Sequence, residues 1–333
     1  MLYVSTGLDG APLAVSAVVI VPAGAAPPGG RNVVAWAHAT TGVEPPCAPS
    51  LRKEFFSRIP GLEAMLAQGH VVVATDYPGL GTPGPHPYLI GVSEARAVLD
   101  SVRAVRHVSD ANATSRFAVW GHSQGGHAAL FTGQIAKQYA PELTLVGVAA
   151  AAPATDLGTL LRDDMGEPVG KMLTAYSLWS WSRVYNAPLV GVVVPDAIPV
   201  VGRIAATCLE SRVEIAQAGM EARQLTHGFL QGQPFGAEPW RRVLTDNEPG
   251  QAAAGAPIFI AQGSADTIVR PDVTAAFVGG LCRRGEKVRI VELAGVAHVT
   301  AGADSAPAAV QWMAARFDGA AAPDDCARRA GQG

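Results

Sequence analysis

An α/β fold, with a mostly parallel central sheet and helices on both of its faces, is predicted by three observations. β-Branched runs alternate with helical patterns from Ala14 to Ala151, the alternation lapses from Thr155 to Gly250, and it resumes from Pro257 to Phe317. Strand, loop, helix and strand in repeated succession bury a sheet under crossover helices, and an interruption of that rhythm marks an insertion.

Ala14 to Val21 and Asn32 to Ala37 are parted by the turn-rich Pro22 to Gly30, the pattern of two neighbouring strands. His38 to Ser50 is a loop dense in Thr, Gly and Pro, a helix is expected around Gly61 to Gln68, and Val71 to Thr75 reads as a buried strand. Asp76 to Pro87 holds four Pro and three Gly in twelve residues and must be loop. It leads into Ser93 to His107, where Ala, Val and Leu recur at helical spacing. Phe117 to Trp120 is the next strand, followed directly by a helix from Gln124 to about Tyr139 and then by strand Leu143 to Ala151.

The segment 155–250 mixes aromatic residues, among them Tyr176, Trp179, Trp181 and Tyr185, with Pro and Gly. We read it as an inserted, mainly helical cap on a core formed by 1–154 and 251–333. Strand Pro257 to Ala261, helix Asp272 to Leu281, strand Lys287 to Leu293 and helix Ser305 to Phe317 complete the core before a polar, Ala-rich tail.

Composition excludes several classes. The 333 residues are 49% hydrophobic and 16% charged, enough for a large core. The formal net charge of -3 comes from 28 acidic and 25 basic residues without a Lys/Arg stripe, so nucleic acid is not an expected partner. The longest apolar stretches, Leu13 to Pro22 and Pro188 to Val201, are short or broken by Gly, Pro and Asp, and no transmembrane segment is expected. No charged n-region with an apolar h-region opens the sequence, so a signal peptide, if one directs this chain, would already have been removed. Cys47, Cys208, Cys282 and Cys326 include no CxxC pair, which favours two disulfides over a metal site.

The chemistry is concentrated at Phe117-Ala118-Val119-Trp120-Gly121-His122-Ser123-Gln124-Gly125, a buried strand running through Gly-x-Ser-x-Gly straight into a helix. Such a context defines the nucleophile elbow of the α/β-hydrolase fold. The Ser occupies a strained turn, and the glycines two residues before and after it remove side chains that would collide. Ser123 is the expected nucleophile. The backbone N–H of Gln124, at the helix N-terminus, is an expected oxyanion donor. The flanking His122 and His127 are read as structural.

A Ser hydroxyl needs a general base and a carboxylate that orients it, and on this fold they follow in the order Ser, acid, His. His227 falls inside the cap, whereas His298 sits in the loop after the last strand, at the sheet edge where Ser123 also emerges. His298 is therefore the expected base. By the same logic Asp266, in the loop after strand Pro257 to Ala261, is the expected acid; Asp272 is the runner-up and better suited to capping its helix. A second oxyanion donor belongs after strand Asn32 to Ala37, where the backbone N–H of Thr40 is the first choice and Thr41 the alternative.

Trp36-Ala37-His38-Ala39-Thr40-Thr41-Gly42, Cys47-Ala48-Pro49-Ser50, Asp76-Tyr77-Pro78-Gly79-Leu80-Gly81 and the elbow together resemble the secretory lipase family of α/β-hydrolases. The resemblance covers nearly the whole chain, from about Tyr3 to Phe317. It implies a secreted carboxylesterase or lipase, with a helical cap and a triad on Ser123, Asp266 and His298. It also implies pairing of Cys47 with Cys208 and of Cys282 with Cys326. Ala39 departs from the family, standing where a second Gly is common.

Tyr77, Leu80 and Trp179, with Thr41, are expected to touch substrate, whereas Asp76 is expected to bond loop amides and His38 to brace its loop. His227, Trp240, Asp163 and Asp164 form no recognisable constellation. The expected substrate is a small-molecule or lipid-like ester, and no cofactor or metal is called for. A triad does not choose its leaving group, so amidase, peptidase, thioesterase and acyltransferase are the alternatives, and a non-catalytic hydrolase-like binding module is a more distant one. A cytoplasmic location is the alternative to secretion.

Overall fold

The computed structural model describes residues 1–163, 166–225, 228–232 and 234–326. Asp164 and His227 lie outside them. The core strands are β1 (Leu2–Thr6), β2 (Pro12–Ile20), β3 (Arg31–Ala37), β4 (Val71–Thr75), β5 (Ala113–His122), β6 (Thr144–Ala151), β7 (Ile258–Gly263) and β8 (Val288–Leu293). They form one sheet in the order β1-β2-β4-β3-β5-β6-β7-β8, antiparallel at β1/β2 and β2/β4 and parallel from β4 onward.

The expected neighbours β2 and β3 are separated by β4, which pairs with β2 through Ala17 and Thr75 and with β3 through Val33 and Val71. Burial gives the reason. Every residue of β4 is buried, so it takes an interior place, whereas β2 is half-exposed and lies further out.

The period-two alternation of the strands supplies two apolar faces. Val33, Ala35, Phe117 and Val119 pack against α2 (Gly91–Val105), α3 (Gln124–Tyr139) and α9 (Pro271–Arg283). Val34, Trp36, Ala118 and Trp120 pack against α1 (Leu62–Ala67) and α10 (His298–Phe317). The parallel register sets Trp36 beside Trp120 with ring centroids 5.8 Å apart.

Between β6 and β7 stand α4 (Leu157–Asp163), α5 (Pro168–Val184), α6 (Ile198–Ala205), α7 (Arg212–Ala222) and α8 (Trp240–Asp246). They share a second core that includes Tyr176, Trp181, Phe229 and Trp240, and Tyr88 to Ile90 from the core domain reach into it. The disulfides join Cys47 to Cys208, between the loop after β3 and the helical insertion, and Cys282 to Cys326, between α9 and the tail. No helix among the described residues is long and apolar enough to cross a membrane.

Candidate active site

Because β3, β5, β7 and β8 run parallel, the loops at their carboxyl ends open on one edge of the sheet. Thr40, Ser123, Asp266 and His298 each follow one of these strands within a few residues. Ser123 has φ 56° and ψ -117°, a conformation that only a tightly determined surrounding sustains. A Cβ on Gly121 would overlap the Gly125 carbonyl, and one on Gly125 would overlap the Ala37 carbonyl, so the turn closes only over glycine. Ser123 N donates to Ala151 O at 2.9 Å, which pins the turn to β6.

His298 Nε2 lies 2.8 Å from Ser123 Oγ, and His298 Nδ1 lies 2.8 Å from Asp266 Oδ2. A carboxylate can only accept, so Nδ1 carries the proton and Nε2 is left to accept from the serine hydroxyl. Asp266 is 3% exposed, and its Oδ1 accepts from Ile268 N at 2.9 Å and Val269 N at 2.8 Å. Gln262 Nε2 adds a bond to Asp266 Oδ2 at 3.2 Å, and Thr274 Oγ1 holds Gln262 Oε1 at 2.7 Å. Charge on the acid is therefore met by donors from its own loop. Asp272 lies elsewhere: its carboxylate is exposed and paired with Arg270 at 3.1 Å, a bond that holds its pKa below the ordinary carboxylate value. It sits in the first turn of α9, whose cap position is Arg270.

One feature of this triangle differs from the sequence expectation. His298 is the first residue of α10, which starts seven residues before the expected Ser305. The helix carries Pro307 within it, and the proline's exposed face keeps its ring off the sheet. His122, read as structural, braces the backbone of the base: its Nε2 donates to the His298 carbonyl at 2.9 Å, and the rings lie 5.1 Å apart. Burial, and then the neighbouring His298, pushes the His122 pKa down to about 4, so it stays a neutral donor near neutrality.

The loop after β3 is held from several sides. His38 faces Ala39 O at 2.7 Å and Asp76 O at 3.3 Å, and its ring packs 4.4 Å from that of Tyr77. Thr40 Oγ1 pairs with the Tyr88 hydroxyl at 2.9 Å, and Thr41 O accepts from Leu209 N at 2.8 Å. Asp76 accepts from Ser50 N at 2.9 Å and from the Ser16 and Ser50 hydroxyls at 2.6 Å, fixing the foot of the adjoining loop.

A cavity of about 470 Å³ opens beside Ser123 and His298, and Thr40 and Thr41 are on its wall. A narrower apolar slot leaves Ser123 and Gln124 on the other side, between Leu157, Leu160 and Leu161 of α4 and Leu173 of α5. The underside of the insertion is thus aliphatic rather than aromatic. Tyr77, Leu80 and Trp179 wall neither space. Tyr77 turns through φ 63° and is fully buried, with its hydroxyl donating to His38 O at 3.2 Å. Leu80 is buried against the Cys47–Cys208 disulfide. Trp179 faces outward from α5, where Nε1 donates to Glu44 Oε1 at 2.8 Å and the Arg183 guanidinium stacks 3.1 Å from its ring.

A buried polar cluster beneath the elbow had no sequence motif to announce it. Glu94 accepts from Gln124 Nε2 at 2.8 Å and pairs with His127 Nδ1 at 2.7 Å, and His127 Nε2 reaches Asn247 O at 2.8 Å. The only signal was the placement of acidic and imidazole side chains inside otherwise apolar helical patterns. Among the described residues, no group of three or more His, Cys, Asp or Glu is arranged to hold a metal ion.

Sheet order, strand-end loops and the strained serine turn define an α/β-hydrolase. The secretory lipase family model matches residues 60–325, and the chain belongs to that family. It is 26% identical, over 96% of its length, to a probable inactive lipase of Mycobacterium tuberculosis, of which it spans 73%. It is likewise 26% identical, over 84% of its length, to Lipase 5 of Candida albicans, but spans only 64% of that protein. Among solved structures it resembles Candida antarctica lipase A, with a TM-score of 0.79 and 20% identity over 98% of this chain and 78% of that one. At that identity the structural likeness speaks for the fold.

Proposed function

We propose that the chain is a secreted serine hydrolase of carboxylic esters that works through an acyl-enzyme on Ser123. The observation that carries this is the unbroken line of hydrogen bonds from Ser123 Oγ through His298 to Asp266, each 2.8 Å long. Membership of the secretory lipase family supports the ester as substrate class, and two disulfides suit an oxidising compartment.

In the first half-reaction Ser123 Oγ attacks the ester carbonyl while His298 Nε2 takes its proton, and Asp266 holds the imidazolium that forms. The backbone N–H groups of Gln124 and Thr40 receive the tetrahedral oxyanion. His298 returns the proton to the leaving alcohol. Water, activated by the same base, then attacks the acyl-enzyme and frees the acid and Ser123. The leucine-lined slot is suited to the apolar acyl chain, and the wide cavity to the alcohol portion. Segment 155–250 caps both.

A fluorophosphonate probe tests the reading together with a short p-nitrophenyl ester. The expected result is labelling and turnover by the natural chain, with both lost in Ser123→Ala. A chain that neither labels nor turns over at neutral pH, like an inactive relative, would overturn it.

A further inference from the structure

Thr40 and Gln124 come from loops after different strands, yet their side chains are gripped by one short segment, His86 to Tyr88. Thr40 Oγ1 pairs with the Tyr88 hydroxyl at 2.9 Å, and Gln124 Nε2 donates to His86 Nε2 at 3.2 Å. His86 Nδ1 lies 2.8 Å from the Pro78 carbonyl and must donate there, which leaves Nε2 as the acceptor. Burial pushes the His86 pKa down to about 4, so the ring keeps this neutral form near neutrality. The second proton of Gln124 Nε2 goes to Glu94 Oε1 at 2.8 Å, an oxygen that also accepts from Leu89 N at 3.1 Å. Leu89 takes φ 52°, a left-handed turn that a non-glycine residue adopts only where neighbouring bonds hold it.

The backbone of the same segment is held from the insertion. Ser180 Oγ, on α5, donates to His86 O at 2.6 Å and accepts from Tyr88 N at 3.0 Å. Trp181 Nε1 donates to Tyr88 O at 2.8 Å. One continuous set of bonds therefore runs from a helix of the insertion, through residues 86–88, to both residues proposed as oxyanion donors.

We propose that segment 86–88 is a strap that transmits the seating of α5 to both sides of the oxyanion hole, with His86 and Tyr88 as positioning residues. Its effect on rate rests on the ester-hydrolase reading above; the coupling itself does not. Displacing an oxyanion donor by a fraction of an ångström weakens the transition state more than the bound ester, because the charge on the carbonyl oxygen develops only during attack. A residue that merely filled space would change stability without separating kcat from KM.

The test compares Tyr88→Phe, which removes only the hydroxyl, and Ser180→Ala, which frees the strap backbone, with Ser182→Ala as control. Ser182 lies on the same helix, but its hydroxyl bonds Trp179 O at 2.8 Å and does not touch the strap. Two quantities are read: kcat and KM on a p-nitrophenyl ester, and the ¹H–¹⁵N resonances of the Thr40 and Gln124 amides. We expect Tyr88→Phe to lower kcat about tenfold with KM within about twofold, as for loss of a contact made chiefly in the transition state. Its Thr40 amide should shift. Ser180→Ala should shift both amides and lower kcat, while Ser182→Ala leaves all of these at their natural values. Amides unmoved in both strap variants overturn the proposal, as do amides that move while kcat holds. If the natural chain cleaves no ester, the hydrolase reading fails, and the amide shifts alone still uphold or end the coupling.

Discussion

The elbow around Ser123 and the loop from His38 to Gly42 face the same cavity, but they are held by opposite means. The elbow is shaped by contacts from its own backbone and adjacent strands: Gly121 against Gly125, Gly125 against Ala37, and Ser123 N on Ala151 O. The loop after β3 depends on distant partners, namely Tyr88 on Thr40, Leu209 on Thr41, Asp76 on His38 and Cys208 on the neighbouring Cys47. A turn made by backbone exclusion leaves a short motif in the sequence. A loop held by distant partners leaves no spacing that names those partners.

The contrast can be broken by mutation, and the elbow should suffer most. Gly125→Ala drives a Cβ into the Ala37 carbonyl, where neither backbone can yield without opening the β3/β5 edge. We expect a loss of more than about 4 kcal/mol in urea-denaturation stability, together with loss of ester turnover. A well-folded, active Gly125→Ala would show that the elbow is not set by backbone exclusion.

For the other loop, Cys208→Ser removes a cross-link between residues separated by 161 positions. Loss of such a cross-link typically costs about 2–4 kcal/mol, read as a lower urea midpoint, with reactivity of Ser123 toward fluorophosphonate retained. Loss of serine reactivity equal to that in Gly125→Ala would mean that the two loops are one mechanical unit.

The smallest effect, read per pH unit, is one of acidity. His122, in the elbow, and His86, which accepts from Gln124 Nε2, are each pushed from 6.5 down to about 4 by burial. Between those values the unfolded chain binds protons that the folded chain refuses, so stability falls as pH falls through this window. The slope should be at most about 1.4 kcal/mol per pH unit for each histidine. Thermal melts from pH 7 to 4 read it. His122→Gln, which keeps a donor for the His298 carbonyl but cannot titrate, should remove that histidine's share alone; an unchanged slope would assign the whole effect elsewhere.

By itself the sequence determined the alternation of strands and helices, the serine turn between two glycines, and the strand-end loops from which an acid and a base would come. Each of these depends on local pattern and chain order: a parallel strand delivers the loop after it to a known edge, and the fold then chose Asp266 over Asp272 as the partner of His298. Tertiary structure alone decided the rest. It put β4 between β2 and β3 because a strand apolar on both faces must lie inside the sheet. It turned Tyr77 and Leu80 into the core and Trp179 away from the cavity, although all three stand in segments that border the site. It brought His86, Tyr88 and Ser180 together beside Thr40 and Gln124. Those contacts join residues far apart in the chain, and a hydrogen bond between distant side chains imposes no periodicity on the sequence that makes it.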